Sequence, residues 1–131
     1  MQGSLLVDSS YFISRLRAGN DPLEDLASIM DEWEIITCGV VVTEVLRGFK
    51  SLKARDRFER AFSTMIFIPT TPKLWFQIMD LAWGQDRKGN IMQVTDLTIA
   101  ACALHVDATV LTLDSDFLRV PQLNVTHELP R

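Results

Sequence analysis

Short, unbroken apolar runs alternating with segments of helical periodicity constrain this chain more than any other feature. Leu5-Leu6-Val7, Ile35-Ile36-Thr37-Cys38, Met65 to Ile68 and Thr109 to Leu113 are short continuous runs of the kind that form buried strands. Val125-Thr126-His127 is a candidate edge strand. Between them, Ser9 and Ser10 open a helix through Tyr11, Phe12, Ile13 and Leu16 that Gly19-Asn20 stops. Asp21-Pro22-Leu23-Glu24 combines an N-cap, a first-turn proline and a capping-box glutamate. Leu23, Leu26, Ala27, Met30 and Trp33 follow at helical spacing and predict a helix across all of them. Gly39 predicts a turn, Val40 to Phe49 a helix, Ser51 to Phe62 a charged amphipathic helix, and Pro72 to Lys88 a helix ended by Gly89-Asn90. Thr95 or Asp96 is the expected cap of an alanine-rich helix to about Leu104. Strands alternating with helices predict an α/β domain with a mainly parallel sheet.

Length and composition bound the rest. At 131 residues, 47% hydrophobic and 23% charged, the chain is expected to be a single globular domain, 1–131. No apolar run reaches the roughly 18 to 20 residues that span a bilayer. The opening MQGSLLVDSS lacks the basic and apolar regions of a secretory signal, so a cytoplasmic protein away from membranes is expected. Cys38 and Cys102 are isolated in apolar surroundings and read as reduced core thiols; His105 and His127 are isolated too and receive no role. The net charge of −4 argues against a uniformly basic nucleic-acid binder. Positive charge is nevertheless clustered, at Lys50, Lys53, Arg55, Arg57 and Arg60 and again at Arg87 and Lys88.

Ligand sites in open α/β sheets lie beyond the carboxyl ends of the strands. Asp8 follows the first strand and Asp114 the fourth, while Glu44 begins the helix after the second and Asp96 opens the alanine-rich helix. Singly, each has a structural explanation: Asp8 or Asp96 as a helix cap, Glu44 as a solvated helix residue, Asp114 and Asp116 as turn residues. Together they predict convergent carboxylates, which repel unless a cation neutralises them. With no sulfur or imidazole nearby, Mg²⁺ or Mn²⁺ is the natural ion, and phosphodiester hydrolysis the reaction it would support.

LLVDSSYFI (Leu5 to Ile13), TEVLRG (Thr43 to Gly48), TDLTIAACAL (Thr95 to Leu104) and TLDSDF (Thr112 to Phe117) resemble, in order and spacing, the motifs of PIN-domain ribonucleases, in particular the VapC-type toxins of toxin–antitoxin modules. The resemblance implies a three-layer PIN-like domain with a four- to five-stranded sheet flanked by helices. It implies that Asp8, Glu44 and Asp96 carry a catalytic Mg²⁺ or Mn²⁺ site, with Asp114 as fourth acid and Asp116 as the alternative. Ser9 resembles the family's small hydroxyl residue after the first aspartate, whereas Ser10 departs from a frequent asparagine. Ser9, Thr112, Arg87 and Lys88 are the expected substrate-binding residues, the last two with a solvated, glycine-capped helix end as the competing reading. Also implied are a homodimer, a cognate VapB-like antitoxin, and structured RNA such as tRNA or rRNA as substrate. The alternative is a PIN-like RNA-binding or scaffolding module with little catalysis. A haloacid-dehalogenase-like phosphatase would need a second aspartate where Ser10 stands, and a receiver domain an aspartate where Pro69 stands. No phosphate-binding glycine loop is present.

Overall fold

The computed structural model describes residues 2–131, among which the chain forms five strands and six α-helices. In order these are β1 (Gly3–Val7), α1 (Ser9–Arg17), α2 (Pro22–Ala27), β2 (Trp33–Cys38), α3 (Gly39–Leu46), α4 (Leu52–Ser63), β3 (Ile66–Ile68), α5 (Pro72–Arg87), α6 (Val94–His105), β4 (Thr109–Leu111) and β5 (Asn124–Thr126). A single 3-10 turn, Ser115–Arg119, lies between the last two strands. All strand pairs are parallel and their order is β3-β2-β1-β4-β5. The α/β fold with a parallel sheet flanked by helices is thus what the alternating pattern predicted, with the fifth strand included.

Local chemistry accounts for the element ends. Asp21, Ser51 and Thr71 each accept a hydrogen bond from a first-turn backbone N–H, at 3.0, 3.3 and 3.2 Å, capping α2, α4 and α5. Gly19 and Gly89 adopt φ of +80° and +79° just past α1 and α5. There the N–H of Asn20 donates to the Arg15 carbonyl and that of Asn90 to the Gln85 carbonyl, both at 2.9 Å, the paired closure that a left-handed residue permits. The central strand β1 is buried from Leu5 to Val7, with Leu5 and Leu6 fully inaccessible, whereas Ile66 and Phe67 of the edge strand β3 are exposed. Helix α6 is buried from Leu97 to Ala103, its alanines allowing close approach to the sheet and to α5. Cys38 and Cys102 are free and buried.

Several boundaries differ from expectation. Helix α2 stops at Ala27 instead of running on through Trp33. Trp33 opens β2 and pairs with Gly3, while Met30 is exposed, so their spacing with Leu26 matched a helix by coincidence. Gly39 is no turn: Cys38 is the N-cap of α3 and the strand passes straight into the helix. Glu44 therefore lies more than a turn inside α3 instead of beginning it, and α3 closes at Leu46, leaving Phe49 to pack on Phe58 with ring centroids 4.8 Å apart. Gln93, not Thr95 or Asp96, occupies the N-cap position of α6, which places Asp96 in its first turn.

The strand order has one consequence for function. From β1 the chain builds outward through β2 to β3, then returns on the other side to form β4 and β5. Connections leaving β1 and β4 therefore diverge, opening a crevice at their carboxyl ends. Asp8 and Asp114 follow those two strands.

Candidate active site

Asp8 stands where an N-cap would, yet its side chain caps nothing. It is 3% exposed, and its Oδ2 accepts hydrogen bonds from the Ser10 and Thr112 hydroxyls, each at 2.7 Å. The proton directions are set by the backbone. Leu113 N–H donates to Ser10 Oγ at 3.1 Å and Asp114 N–H to Thr112 Oγ1 at 3.0 Å, so both hydroxyls turn their own protons to Asp8. One carboxylate oxygen is thereby saturated and the other left toward the crevice, with Ser9 Oγ 3.5 Å away. Ser9 donates at 3.1 Å to Glu44 Oε1, tying α1 to α3 across the same opening.

Asp96 reports the convergence of the rest. Half-burial pushes its carboxyl up to about 6 from an ordinary 3.8, and the negative charges of Asp8, Asp114, Glu44 and Asp116 push in the same direction. Each of the other expected acids is therefore near enough to Asp96 to act on it through its charge. Asp114 acts on Asp96 more strongly than Asp116 does. The Asp114 side chain also holds the local turn, its Oδ1 accepting from Asp116 N–H at 2.9 Å.

The expected substrate residues fare differently. Thr112 is fully buried and its hydroxyl is spent on Asp8, so it positions the acid and has no surface to offer a substrate. Ser9 is similarly committed, to Glu44. Arg87 lies over the Trp83 ring at 4.7 Å and Lys88 closes α5 beside Gly89; both are exposed, and no ion pair links either to the acids. In the other basic cluster, Arg55 pairs with Glu59 and Arg57 with Asp21, leaving Lys50, Lys53 and Arg60 without carboxylate partners among the described residues. Two contributors were missed in the sequence. Ser10 is one of the two hydroxyls that orient Asp8, and His127 approaches the Thr112 carbonyl with Nδ1 at 2.7 Å. Ser10, two residues from Asp8, reads in sequence only as a departure from a frequent asparagine, whereas His127 meets Thr112 only because β5 pairs with β4.

Among the described residues no three acidic, histidine or cysteine side chains stand close enough together to hold a metal ion. An open crevice of oxygen donors nonetheless fits a small hard cation, which retains most of its water and takes one or two carboxylates. The mutual repulsion at Asp96 is the charge such an ion would compensate.

The fold is a parallel α/β sheet flanked by helices, with acidic residues following β1 and β4 at its switch point. Residues 5–123 match the PIN domain, and the chain belongs to that family. Its fold is similar to a chain of VapBC2 from Rickettsia felis, solved bound to a DNA fragment from its promoter, at 21% identity and a TM-score of 0.77, covering 94% of this chain and 97% of that one. It is similar to a chain of DNA-bound VapBC from Salmonella typhimurium at 17% identity and TM-score 0.77, covering 94% and 96%. It is also similar to Mycobacterium tuberculosis VapC20, a sarcin-ricin loop cleaving toxin, at 16% identity and TM-score 0.63, covering 92% and 98%. No curated protein matches the chain significantly in sequence.

Proposed function

We propose that this PIN-domain protein is a Mg²⁺- or Mn²⁺-dependent endoribonuclease, the toxin of a type II toxin–antitoxin pair, acting in the cytoplasm on structured RNA of the tRNA or rRNA kind. The observation that carries this reading is the raised carboxyl of Asp96 within the field of Asp8, Glu44, Asp114 and Asp116. The sarcin-ricin loop cleaved by one structural neighbour supports rRNA as the substrate class. Asp8, Glu44, Asp96 and Asp114 would hold the cation. When bound, it supplies a lowered pKa for attacking water and compensation for charge on the phosphoryl oxygens. Ser10 and Thr112 keep Asp8 in one orientation, and Ser9 keeps Glu44 turned toward it. Purified protein should cleave structured RNA with Mg²⁺ or Mn²⁺ and stop with excess EDTA. Undiminished cleavage in EDTA would overturn the metal assignment, and intact RNA under every metal condition would favour a non-catalytic module.

A VapB-like antitoxin and a homodimer belong to the same proposal, since structural neighbours come from VapBC complexes. Of the large aromatics, Phe62 is buried and Trp33 and Phe49 pack partly on the core. Helix α5 differs: Leu74 and Ile78 are buried, whereas Phe76 (66%), Met79 (52%) and Trp83 (65%) form an exposed stripe on another face. Solvent-facing apolar surface of this kind is commonly covered by a partner, and self-association is the reading proposed. Light scattering at tens of micromolar should report a dimer that Phe76→Glu with Trp83→Glu dissociates. A strictly monomeric parent protein would rule this out.

A further inference from the structure

A groove of about 350 Å³ adjoins the acid cluster and shares Glu44 with it. Val40, Thr43, Glu44 and Arg47, which recur along one face of α3, form one wall. Trp75 of α5 and Thr95 of α6, the neighbour of Asp96, complete it. Glu44 accepts from Ser9, but Thr43, Arg47, Trp75 and Thr95 make no side-chain hydrogen bond among the described residues. Arg47 is exposed and has no carboxylate partner among the described residues, although the chain carries a net charge of −4. Trp75 is 41% exposed and stands at the edge of the Phe76, Met79 and Trp83 stripe, one turn from Met79, in the groove that Glu44 also lines.

A flat indole and an unpaired guanidinium beside a phosphodiester-cleaving site are the two elements with which proteins hold single-stranded nucleic acid: a stacking platform and a phosphate contact. The groove volume sits near the small end of ligand sites, about 300 to 1,000 Å³, which suits one nucleotide and not a duplex. Bases inside an RNA helix present no free face, whereas loop and bulge bases can be splayed onto an aromatic ring. We propose that this groove binds one unpaired nucleotide flanking the scissile phosphate, its base stacked on Trp75 and its phosphate met by Arg47. The inference rests on the ribonuclease reading and adds to it the two residues that hold a nucleotide beside the scissile bond.

The test uses Asp96→Asn protein, to prevent cleavage, and fluorescence anisotropy with short unpaired oligoribonucleotides made abasic at one position in turn. Trp75→Ala should weaken binding about tenfold, as loss of one base stack does, while Trp75→Phe retains most of it. One abasic position should cost the parent the same factor and erase its advantage over Trp75→Ala. Arg47→Gln should lower the salt slope by about 0.7, one single-strand phosphate contact. Phe76→Ala, outside the groove, should change neither. Binding by Trp75→Ala equal to the parent overturns the subsite. So does a weakening that persists on every abasic RNA, as would follow if Trp75 acted only through dimerisation. Cleavage by unsubstituted protein with Mg²⁺ is scored in parallel. Absent cleavage with Trp75-dependent, abasic-sensitive binding removes the nuclease reading and leaves the subsite; cleavage with Trp75-indifferent binding removes the subsite alone.

Discussion

Asp96→Asn should lower single-turnover RNA cleavage by on the order of a hundredfold or more while leaving circular dichroism unchanged. Asparagine keeps the shape and one acceptor oxygen but removes the charge on which the other acids converge. The backbone need not suffer, since Gln93 and not Asp96 holds the N-cap position of α6. The same reasoning applies to Asp8→Asn, whose side chain makes no capping bond that asparagine would have to replace. A fully active Asp96→Asn enzyme would remove the acid cluster from the chemistry. An unfolded one would show instead that the carboxylate serves the fold, and Glu44→Gln, on an independent helix, would then decide the catalytic question.

Thermal stability without metal should rise as pH falls from about 7 to about 5, and millimolar Mg²⁺ or Mn²⁺ should reverse that trend. Asp96 titrates near 6 in the folded chain against 3.8 ordinarily, so the unfolded chain ionises first and stability is lost as pH rises across that interval. Between pH 7 and 5 only about one unit of that interval is crossed, worth about 1.3 kcal/mol unscreened and about 0.5 to 1 kcal/mol for a half-buried group reached by solvent. For a domain of this length that is a melting shift of a few degrees. Asp25, held low by the Arg15 guanidinium, and Asp21, held low by Arg57, begin to cost stability only at more acid pH, leaving the window clear. In Asp96→Asn the slope should flatten and the metal-free melting temperature at pH 7 should equal or exceed that of the parent. Cation binding stabilises by mass action, about 2.7 kcal/mol at a hundredfold excess over Kd. A melting temperature indifferent to both ions would leave the acid crevice without a cation to serve.

Much of the architecture was legible because it depends on near neighbours. The runs at Leu5 to Val7 and Ile35 to Cys38 read as buried strands, the caps at Asp21, Ser51 and Thr71 set helix starts, and Gly19 and Gly89 set helix ends. Legibility failed where two periodicities overlapped. Met30 and Trp33 continue the helical spacing of Leu26, but pairing of Trp33 with Gly3 takes that residue into the sheet. Spacing cannot register a partner thirty residues away.

The candidate site divides along the same line. That acids follow β1 and β4 is written in the chain order, as is the repulsion that bringing them together would cost. Whether Asp8 is a cap or a held ligand is not, because the answer lies in Ser10 and Thr112, 102 positions apart and brought within 3.2 Å by the β1–β4 pairing. Which basic residues stay free is equally a matter of packing: Arg57 is taken by Asp21 on another helix, while Arg47 is left open beside Glu44. By itself the sequence determined most of the elements, the parallel α/β class and which acids follow β1 and β4, since periodicity, capping and charge act over a few residues. Only the tertiary structure decided which hydroxyls orient Asp8, how far Asp96 is perturbed and where a groove opens, because burial and hydrogen-bond geometry exist only once β1 lies between β2 and β4.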